Sequence, residues 1–239
     1  MKVRNCILAA CGIAASATLA FAAPNQDKAA RRLSEATTVL EESLARTERG
    51  IPQNLLDRSD CVGVFPSFWK GAVLIGGRYG KGAVSCRTPS GAWSAPSAFR
   101  IEGGNVGFQI GGSSTDLILL FLGPESMNKL LRTSFTFGLD GAAAAGPVGR
   151  SASGQTDALL GAEIISYSRS HGLFAGVSVD GATLRPDHGS NRNLYGYEPK
   201  VRDLLQGAVS APEAATRFLD VLNGQSPRKR LPEASSTGE

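Results

Sequence analysis

Short apolar segments interrupted by glycine fill the middle of the chain, and this pattern constrains the fold more than any other feature. CVGVF, GAVLIGG and DLILLFL are examples, and turn-forming residues bound each of them. Segments of this length and punctuation are typical of β-strands. Glycine inside a strand marks a bend, a bulge or a close approach of two backbones. We therefore predict a central antiparallel sheet of about eight to ten strands, curled by its glycines into a barrel or half-barrel.

Helical patterns lie on both sides of these segments. Leu33, Leu40 and Leu44 recur on one face and predict a helix over residues 27–49. Near the other end, residues 200–206 and 212–222 predict two further helices, and residues 124–132 predict a short one. No internal repeat is visible. The expected fold class is α+β, in one domain with helices at its N- and C-terminal ends.

The first 22 residues have the pattern of a secretory signal peptide. Lys2 and Arg4 precede an uncharged segment that ends in Ala20-Phe21-Ala22, which places small residues before the cleavage point. Cleavage there leaves residues 23–224 as the domain and residues 225–239 as a polar tail that we expect to be disordered. An alternative is a lipoprotein anchored through Cys11, because Leu8 to Cys11 resembles a lipoprotein box. Either alternative predicts an exported, periplasmic protein.

Charge and cysteine content agree with export. Removal of the leader leaves 23 basic and 21 acidic residues, without the dense basic stripe of a nucleic-acid-binding protein. Cys61 and Cys86 remain, and an oxidising compartment favours a disulfide between them, worth about 3 kcal/mol. The alternative is two buried free thiols. A zinc site would need further ligands, and His171 and His188 are far away in sequence, so we expect no metal.

The stretch GGRYGKGAVSCR, residues 76–87, contains a GKG sequence that suggests a phosphate-binding loop. The first glycine of a P-loop is missing at the required spacing, and Gly82 stands where a serine or threonine belongs. We predict instead a hairpin that turns around residues 78–81. Arg78 and Lys81 would then lie at an exposed turn, and Trp69 and Lys70 at the preceding one. Such residues either contact phosphate headgroups and a membrane interface or are ordinary solvated turn residues.

Several separated motifs, in order, resemble the lipid-binding SYLF domain family. They are GVFPSFWKGAVLIGGRYGKGAVSCR, GAWSAPSAFRIEGGNVGFQIGGSSTDLILLF, FGLDGAAAAGPVGR, SYSRSHGLFAGVSVDGATLRPD and NLYG, within approximately residues 33–222. The resemblance implies a module that binds membrane lipid and catalyses nothing. Eukaryotic members carry SH3 or FYVE modules, bind phosphoinositides and in some cases bundle actin. We expect an export signal and neither module in this chain, and the resemblance then implies glycerophospholipid as the ligand class.

In the eukaryotic members, lipid contact involves a basic amphipathic N-terminal segment. Here the matching residues are Lys28, Arg31 and Arg32. The apolar side of this helix is also what a helix packed on a sheet would show, and we favour core packing. A second possible phosphate site is Arg150, which follows a glycine-rich turn.

An acyl hydrolase is the main rival function. It would need a nucleophile, with His171 or His188 as base and Asp180 or Asp187 as acid, but no G-x-S-x-G elbow is present. A periplasmic scaffold that binds a protein partner is the other alternative. We expect an exported phospholipid-binding protein with no catalytic activity and no cofactor. The predicted lipid-contacting residues are Lys28, Arg31, Arg32, Trp69, Lys70, Arg78, Lys81 and Arg150.

Overall fold

The computed structural model describes residues 24–45, 50–73, 75–106, 111–123, 125–146, 162–170 and 173–227. The predicted signal peptide, Arg150, His171 and the end of the predicted tail lie outside these residues. The described chain contains one curled sheet with helices packed on it, so the predicted α+β class is confirmed.

The sheet has nine strands in the described part of the chain, in the order β5-β9-β3-β2-β1-β4-β7-β6, with β8 also paired to β7. Their bounds are β1 Ser59–Val73, β2 Ile75–Cys86, β3 Ser97–Val106, β4 Gly111–Leu122, β5 Phe135–Thr136, β6 Ala143–Ala145, β7 Ile164–Ser170, β8 Leu173–Gly176 and β9 Thr183–Pro186.

The sheet is mixed, whereas the sequence predicted an antiparallel one. Every neighbouring pair is antiparallel except β6 and β7, which run parallel with Ala143 opposite Ile164. The connection from residue 146 to residue 163 has the length that a parallel crossover requires. Its glycine- and serine-rich composition gave no sign of this pairing.

The helices lie at both ends of the chain and in its connections. They are α1 Pro24–Leu44, α2 Gln53–Arg58, α3 Ser126–Leu130, α4 His188–Tyr195, α5 Val201–Leu205 and α6 Thr216–Gln225, with a 3₁₀ turn at Glu213–Ala215. The helix predicted over residues 27–49 therefore starts and ends earlier than expected. Gln225, assigned to the tail from the sequence, ends α6, and Ser226 after it is buried.

Helix α4 was not predicted from the sequence, although both of its ends carry recognisable signals. The Asp187 side chain accepts a hydrogen bond from the Ser190 backbone N–H, 3.1 Å away, which caps the N-terminus. Gly196 ends the helix with a φ of 78°, in the left-handed region that glycine favours. The apolar content between these caps is too low for the periodicity to stand out.

Apolar side chains are buried on both faces of the sheet. The helix face, which α1 and α6 cover, is centred on Val62, Val64, Ala83, Ile118 and Leu120. The phenylalanine face is centred on Phe65, Phe68, Phe99, Leu119 and Phe121. DLILLFL supplies residues to both faces alternately, which confirms that it is a doubly buried central strand.

The glycines of the GKG sequence make room for phenylalanine rings. A Cβ on Gly80 would lie 2.7 Å from the ring of Phe68, and one on Gly82 would lie 2.8 Å from the Cα of Phe65. The turn predicted at residues 78–81 was wrong, because β1 and β2 pair as far as Val73 opposite Ile75. The turn therefore falls inside the apolar segment GAVLIGG. That segment was predicted to be a strand because it is apolar, and the turn was predicted too late in the sequence because glycines surround residues 78–81.

The predicted disulfide is present. Cys61 and Cys86 are directly opposite on β1 and β2, both fully buried, with an S–S distance of 2.06 Å. It joins two strands that are already paired, so it fixes their register at the end remote from the hairpin turn.

We expect Gly82→Ala to destabilise the protein by about 3 kcal/mol, because the new methyl group would overlap the β1 backbone and Phe65. The matched control is Gly224→Ala in α6, where nothing lies within 4 Å of the added Cβ and alanine favours the helix by up to about 1 kcal/mol. Urea unfolding with the disulfide intact measures both. Equal stability of the two variants would contradict the proposed packing of Phe65.

Candidate functional site

Strands β1 to β4 extend past both core clusters and end together. We call this the free end of the sheet and define it as residues 69–73, 75–79, 102–106 and 111–114. Ser113, Ser114 and Gly112 are exposed there, as is Gly104. The free end therefore presents several adjacent residues of β3 and β4 to solvent.

An exposed tryptophan lies on the helix face of the free end. Trp69 is 49% exposed, and its cross-strand partner Tyr79 is 44% exposed. The indole lies over three glycines of adjacent strands. A Cβ on Gly71 would overlap it, and Cβ atoms on Gly77 and Gly112 would lie 3.7 and 3.8 Å away. The glycines thus form a shelf that holds a large aromatic ring against the backbone without covering its outer side.

A bulge in β1 sets the direction of Trp69. The pairing of β1 shifts between Val64 and Trp69 along β2 and between Phe65 and Phe68 along β4, and both intervals contain Ser67, whose φ is 54°. The Ser67 N–H donates to Asp116 Oδ1 at 3.0 Å, and Arg169 holds the other oxygen of that carboxylate at 2.7 Å. An extra residue in one strand re-aims the side chains that follow it. The Asp116–Arg169 pair therefore stabilises the backbone that positions the indole.

Two basic residues lie on the opposite face of the free end. Lys70 and Arg78 are directly opposite each other on β1 and β2. The Lys70 Nζ lies 5.5 Å from the centre of the Phe68 ring, and an Arg78 guanidinium nitrogen donates to the Asp180 carbonyl at 3.3 Å. Burial, and after it the charge of Arg78, lowers the pKa of Lys70 below its ordinary value. Sequence reasoning chose both residues and placed them at two separate turns, whereas they are paired within strands.

Lys81 has a structural partner. Its Nζ lies 2.7 Å from Asp187 Oδ2, and the Ser190 hydroxyl donates to the same oxygen at 2.8 Å. Burial alone would raise the pKa of Asp187, but the hydrogen bonds from Lys81 and Ser190 outweigh it and lower the pKa. Lys81 therefore ties α4 to β2, instead of lying at an exposed turn.

The predicted N-terminal basic residues are separate from the free end. Arg31 forms an exposed ion pair with Glu35 at 3.1 Å, and Lys28 is exposed. Arg32 is half-buried and lines a small cleft with Lys81 between α1, β2 and α4. Leu33, 3% exposed, and the fully buried Leu40 pack in the core, as favoured from the sequence. The apolar side of α1 is thus occupied by the sheet.

Trp93 is a core residue. It is 6% exposed, and its indole N–H donates to the Ser226 carbonyl at 2.9 Å. The Arg87 guanidinium lies 3.9 Å from the centre of its ring and also donates to Ser226. This buried cluster anchors the segment that follows α6.

The residues suggested for a hydrolase do not form a catalytic pair in the described structure. His188 Nδ1 lies 3.5 Å from Glu198, while the side chain of the neighbouring Asp187 faces Lys81 and Ser190. Within the described ranges, no three His, Cys, Asp or Glu residues cluster in a way that suits a metal ion. None of the described helices has both the length and the apolar character needed to cross a bilayer.

Sequence reasoning missed Tyr79 and the glycine shelf. The signal was available as a period of two, since Trp69 and Gly71 alternate with Lys70 on β1 in the same way that Gly77 and Tyr79 alternate with Arg78 on β2. Placing the turn at residues 78–81 hid this correspondence.

Comparison with known proteins identifies the family. The model of the Ysc84 family, described as "Las17-binding protein actin regulator", matches residues 102–225. The chain belongs to the Ysc84 (SYLF) family. The resemblance found in the motifs is therefore confirmed.

Three similar curated proteins are eukaryotic and longer than this chain. Protein YSC84 of Saccharomyces cerevisiae is 33% identical over 178 residues, 73% of this chain and 38% of that protein. An SH3 domain-containing protein of Schizosaccharomyces pombe is 37% identical over 178 residues, which is 41% of its length. The SH3 domain-containing YSC84-like protein 1 of Xenopus laevis is 31% identical over 210 residues, 87% of this chain and 62% of that protein. The chain thus spans between about two fifths and three fifths of these curated relatives.

We expect Lys81→Met to destabilise the protein by about 2 kcal/mol at neutral pH, because Asp187 would lose a charge-assisted hydrogen bond in a buried position. The pKa of Asp187 is lowered by folding, so its contribution is complete above the ordinary carboxyl pKa and is lost as the pH falls through the lowered value. The difference between variant and wild type should therefore shrink in acid. Chemical denaturation at neutral and acidic pH measures it, with exposed Lys200→Met as the control. A difference independent of pH would contradict this assignment.

Proposed function

We propose that this protein associates with phospholipid membranes through the free end of the sheet. The observation that supports this most directly is the exposed pair Trp69 and Tyr79 on the glycine shelf. Aromatic rings with one polar atom are suited to the boundary between headgroups and acyl chains. A ring already ordered on a rigid strand loses little conformational entropy on insertion.

The residues around Trp69 and Tyr79 also suit contact with a membrane surface. Ala72, Val73 and Ile75 end the paired strands β1 and β2, and Val106 is opposite Ile75 on β3. An end of a sheet with apolar residue types at its tip and a tryptophan and a tyrosine behind it has the order of residues expected along a membrane normal. Lys70 and Arg78 add positive charge at the level of the aromatic pair.

The proposed activity is adhesion without catalysis, in an exported protein. The Cys61–Cys86 disulfide supports an oxidising compartment, and the leader pattern supports export. Lys28, Arg31, Arg32 and Arg150 stay predicted contacts with anionic headgroups. Lys81 is a weaker candidate, because Asp187 already neutralises it.

A protein partner is the second candidate. The family description and the name of one relative, LAS seventeen-binding protein 3 of Saccharomyces cerevisiae, refer to binding of a protein. An exposed aromatic pair suits a protein interface as well as a membrane. The two candidates differ in whether pure lipid suffices for binding.

The test is flotation of the mature protein with phosphatidylcholine vesicles and with vesicles that contain phosphatidylglycerol. We expect Trp69→Ala to lower partitioning about tenfold in both, since burying the exposed part of an indole is worth about 1.4 kcal/mol or more. The matched control is Tyr197→Ala, which removes another aromatic ring that is 53% exposed and should leave partitioning unchanged.

Fluorescence gives an independent measurement on the same samples. The chain has two tryptophans, and Trp93 is buried, so a blue shift on addition of vesicles reports on Trp69. Absence of flotation by the wild type with both vesicle types would reject lipid binding and favour the protein partner. Equal flotation of the two variants would reject the free end as the contact surface.

A further inference from the structure

Lys70 and Arg78 form a cationic pair within strands. They are cross-strand partners on the phenylalanine face of the free end, where their side chains project from the same side of the sheet. Like charges directly opposite each other on two strands destabilise the pairing. Both side chains are half-buried, so water screens this repulsion less than at a fully exposed position.

Neither cation is neutralised by an acidic residue of the described chain. The contact of Lys70 is the Phe68 ring, and that of Arg78 is the Asp180 carbonyl. The Asp180 carboxylate instead accepts a hydrogen bond from the Ser178 hydroxyl at 2.8 Å. The ammonium therefore has donors to spare, and so has the guanidinium.

Other acidic residues near the free end lie on the opposite face. Glu102 is opposite Tyr79 on the helix face, and it pairs there with Arg100 and Arg185. Asp116 is held by Arg169. The arrangement leaves the phenylalanine face with positive charge and the helix face with balanced charge.

Small residues surround the pair. Gly103 is opposite Arg78 on β3, and a Cβ there would lie 3.2 Å from the Arg78 stem. Ser113 is opposite Lys70 on β4 and adds a hydroxyl at the same level. The hydroxyl oxygen of Thr115, two cross-strand pairs further along and on the same face, is buried without a hydrogen-bond partner in the described structure. Gly103 therefore lets the Arg78 stem lie close against β3, and Ser113 and Thr115 add hydrogen-bonding groups beside the pair.

We propose that Lys70 and Arg78 together bind one phosphate-type oxyanion on the phenylalanine face of the free end. An anion between the two side chains converts their repulsion into two attractive contacts, and the planar guanidinium donates to two oxygens of a phosphate group. The proposal rests on the proposed function in one respect, because a phospholipid headgroup is the source of phosphate that a membrane contact would provide. A soluble phosphate ester has the same chemistry.

The first measurement uses inorganic phosphate and soluble glycerol phosphate, so it does not depend on membranes. The NMR signal of the Lys70 ε-carbon is followed during titration, with sodium chloride at matched ionic strength as the reference. We expect a saturable shift with both phosphates and none with chloride. Bound phosphate should also raise the pKa of Lys70, which burial and Arg78 now lower.

The second measurement is vesicle partitioning of Lys70→Gln and Arg78→Gln. Each should weaken binding to vesicles that contain phosphatidylglycerol about fivefold, the effect of one basic residue at an anionic surface. Arg78→Lys keeps the charge but loses the two-oxygen contact, so its binding should lie between that of the wild type and that of Arg78→Gln. Exposed Arg202→Gln in α5 is the matched control and should bind as the wild type does.

The outcomes show whether the site binds phosphate and whether that phosphate belongs to a lipid headgroup or to a soluble compound. Saturation by soluble phosphate, together with weaker vesicle binding by both glutamine variants, supports a headgroup site. Saturation with unchanged vesicle binding supports the site and assigns it to a soluble phosphate compound. A wild type that binds no vesicle rejects the proposed function, and the titration alone then decides this site. No saturable shift, with glutamine variants that partition like Arg202→Gln, would overturn the proposal.

Discussion

The close packing of two phenylalanine rings on the backbone of β2 determines which side chains lie on each face at the free end of the sheet. Phe65 and Phe68 both lie on one face because β1 contains a bulge between them, and Gly80 and Gly82 leave the space that their rings occupy. Past the bulge, strict alternation places Trp69 on one face and Lys70 on the other. The aromatic shelf and the cationic pair are therefore consequences of one packing arrangement, and both belong to the same stretch of backbone.

The sequence allowed the parts of the fold that depend on local pattern to be predicted. The apolar run DLILLFL, the helical spacing of Leu33 and Leu40, and the two cysteines outside the leader each favoured one structural solution over its alternative, and the structure has the favoured one. Turn placement failed because glycine serves two purposes. At Gly80 and Gly82 it permits close packing, which looks in sequence like a turn. The parallel pairing of β6 and the short helix α4 depend on distant partners that no local pattern reveals.

The candidate site was predicted in part, because residue type does not show whether a charge already has a partner. Eight residues were predicted to contact lipid because they are basic or aromatic, yet Lys81 pairs with Asp187 and Arg31 pairs with Glu35. Lys70 and Arg78 resemble these residues in sequence. They differ in their surroundings, because Lys81 meets Asp187 at the start of α4 and Arg31 meets Glu35 one helical turn away, whereas Lys70 and Arg78 face each other. Tyr79 is part of the site because the register places it opposite Trp69.

The anchoring of Ser226 by Arg87 and Trp93 has a consequence for orientation. Arg87 directly follows β2 at Cys86, whereas the free end lies at the start of that strand, so the length of β2, about 35–40 Å at the usual rise per residue, separates the two. If the free end contacts a bilayer, the anchored Ser226 lies at the opposite end of the sheet, as far from the lipid as β2 allows. The domain would then hold its last described residues clear of the headgroup layer.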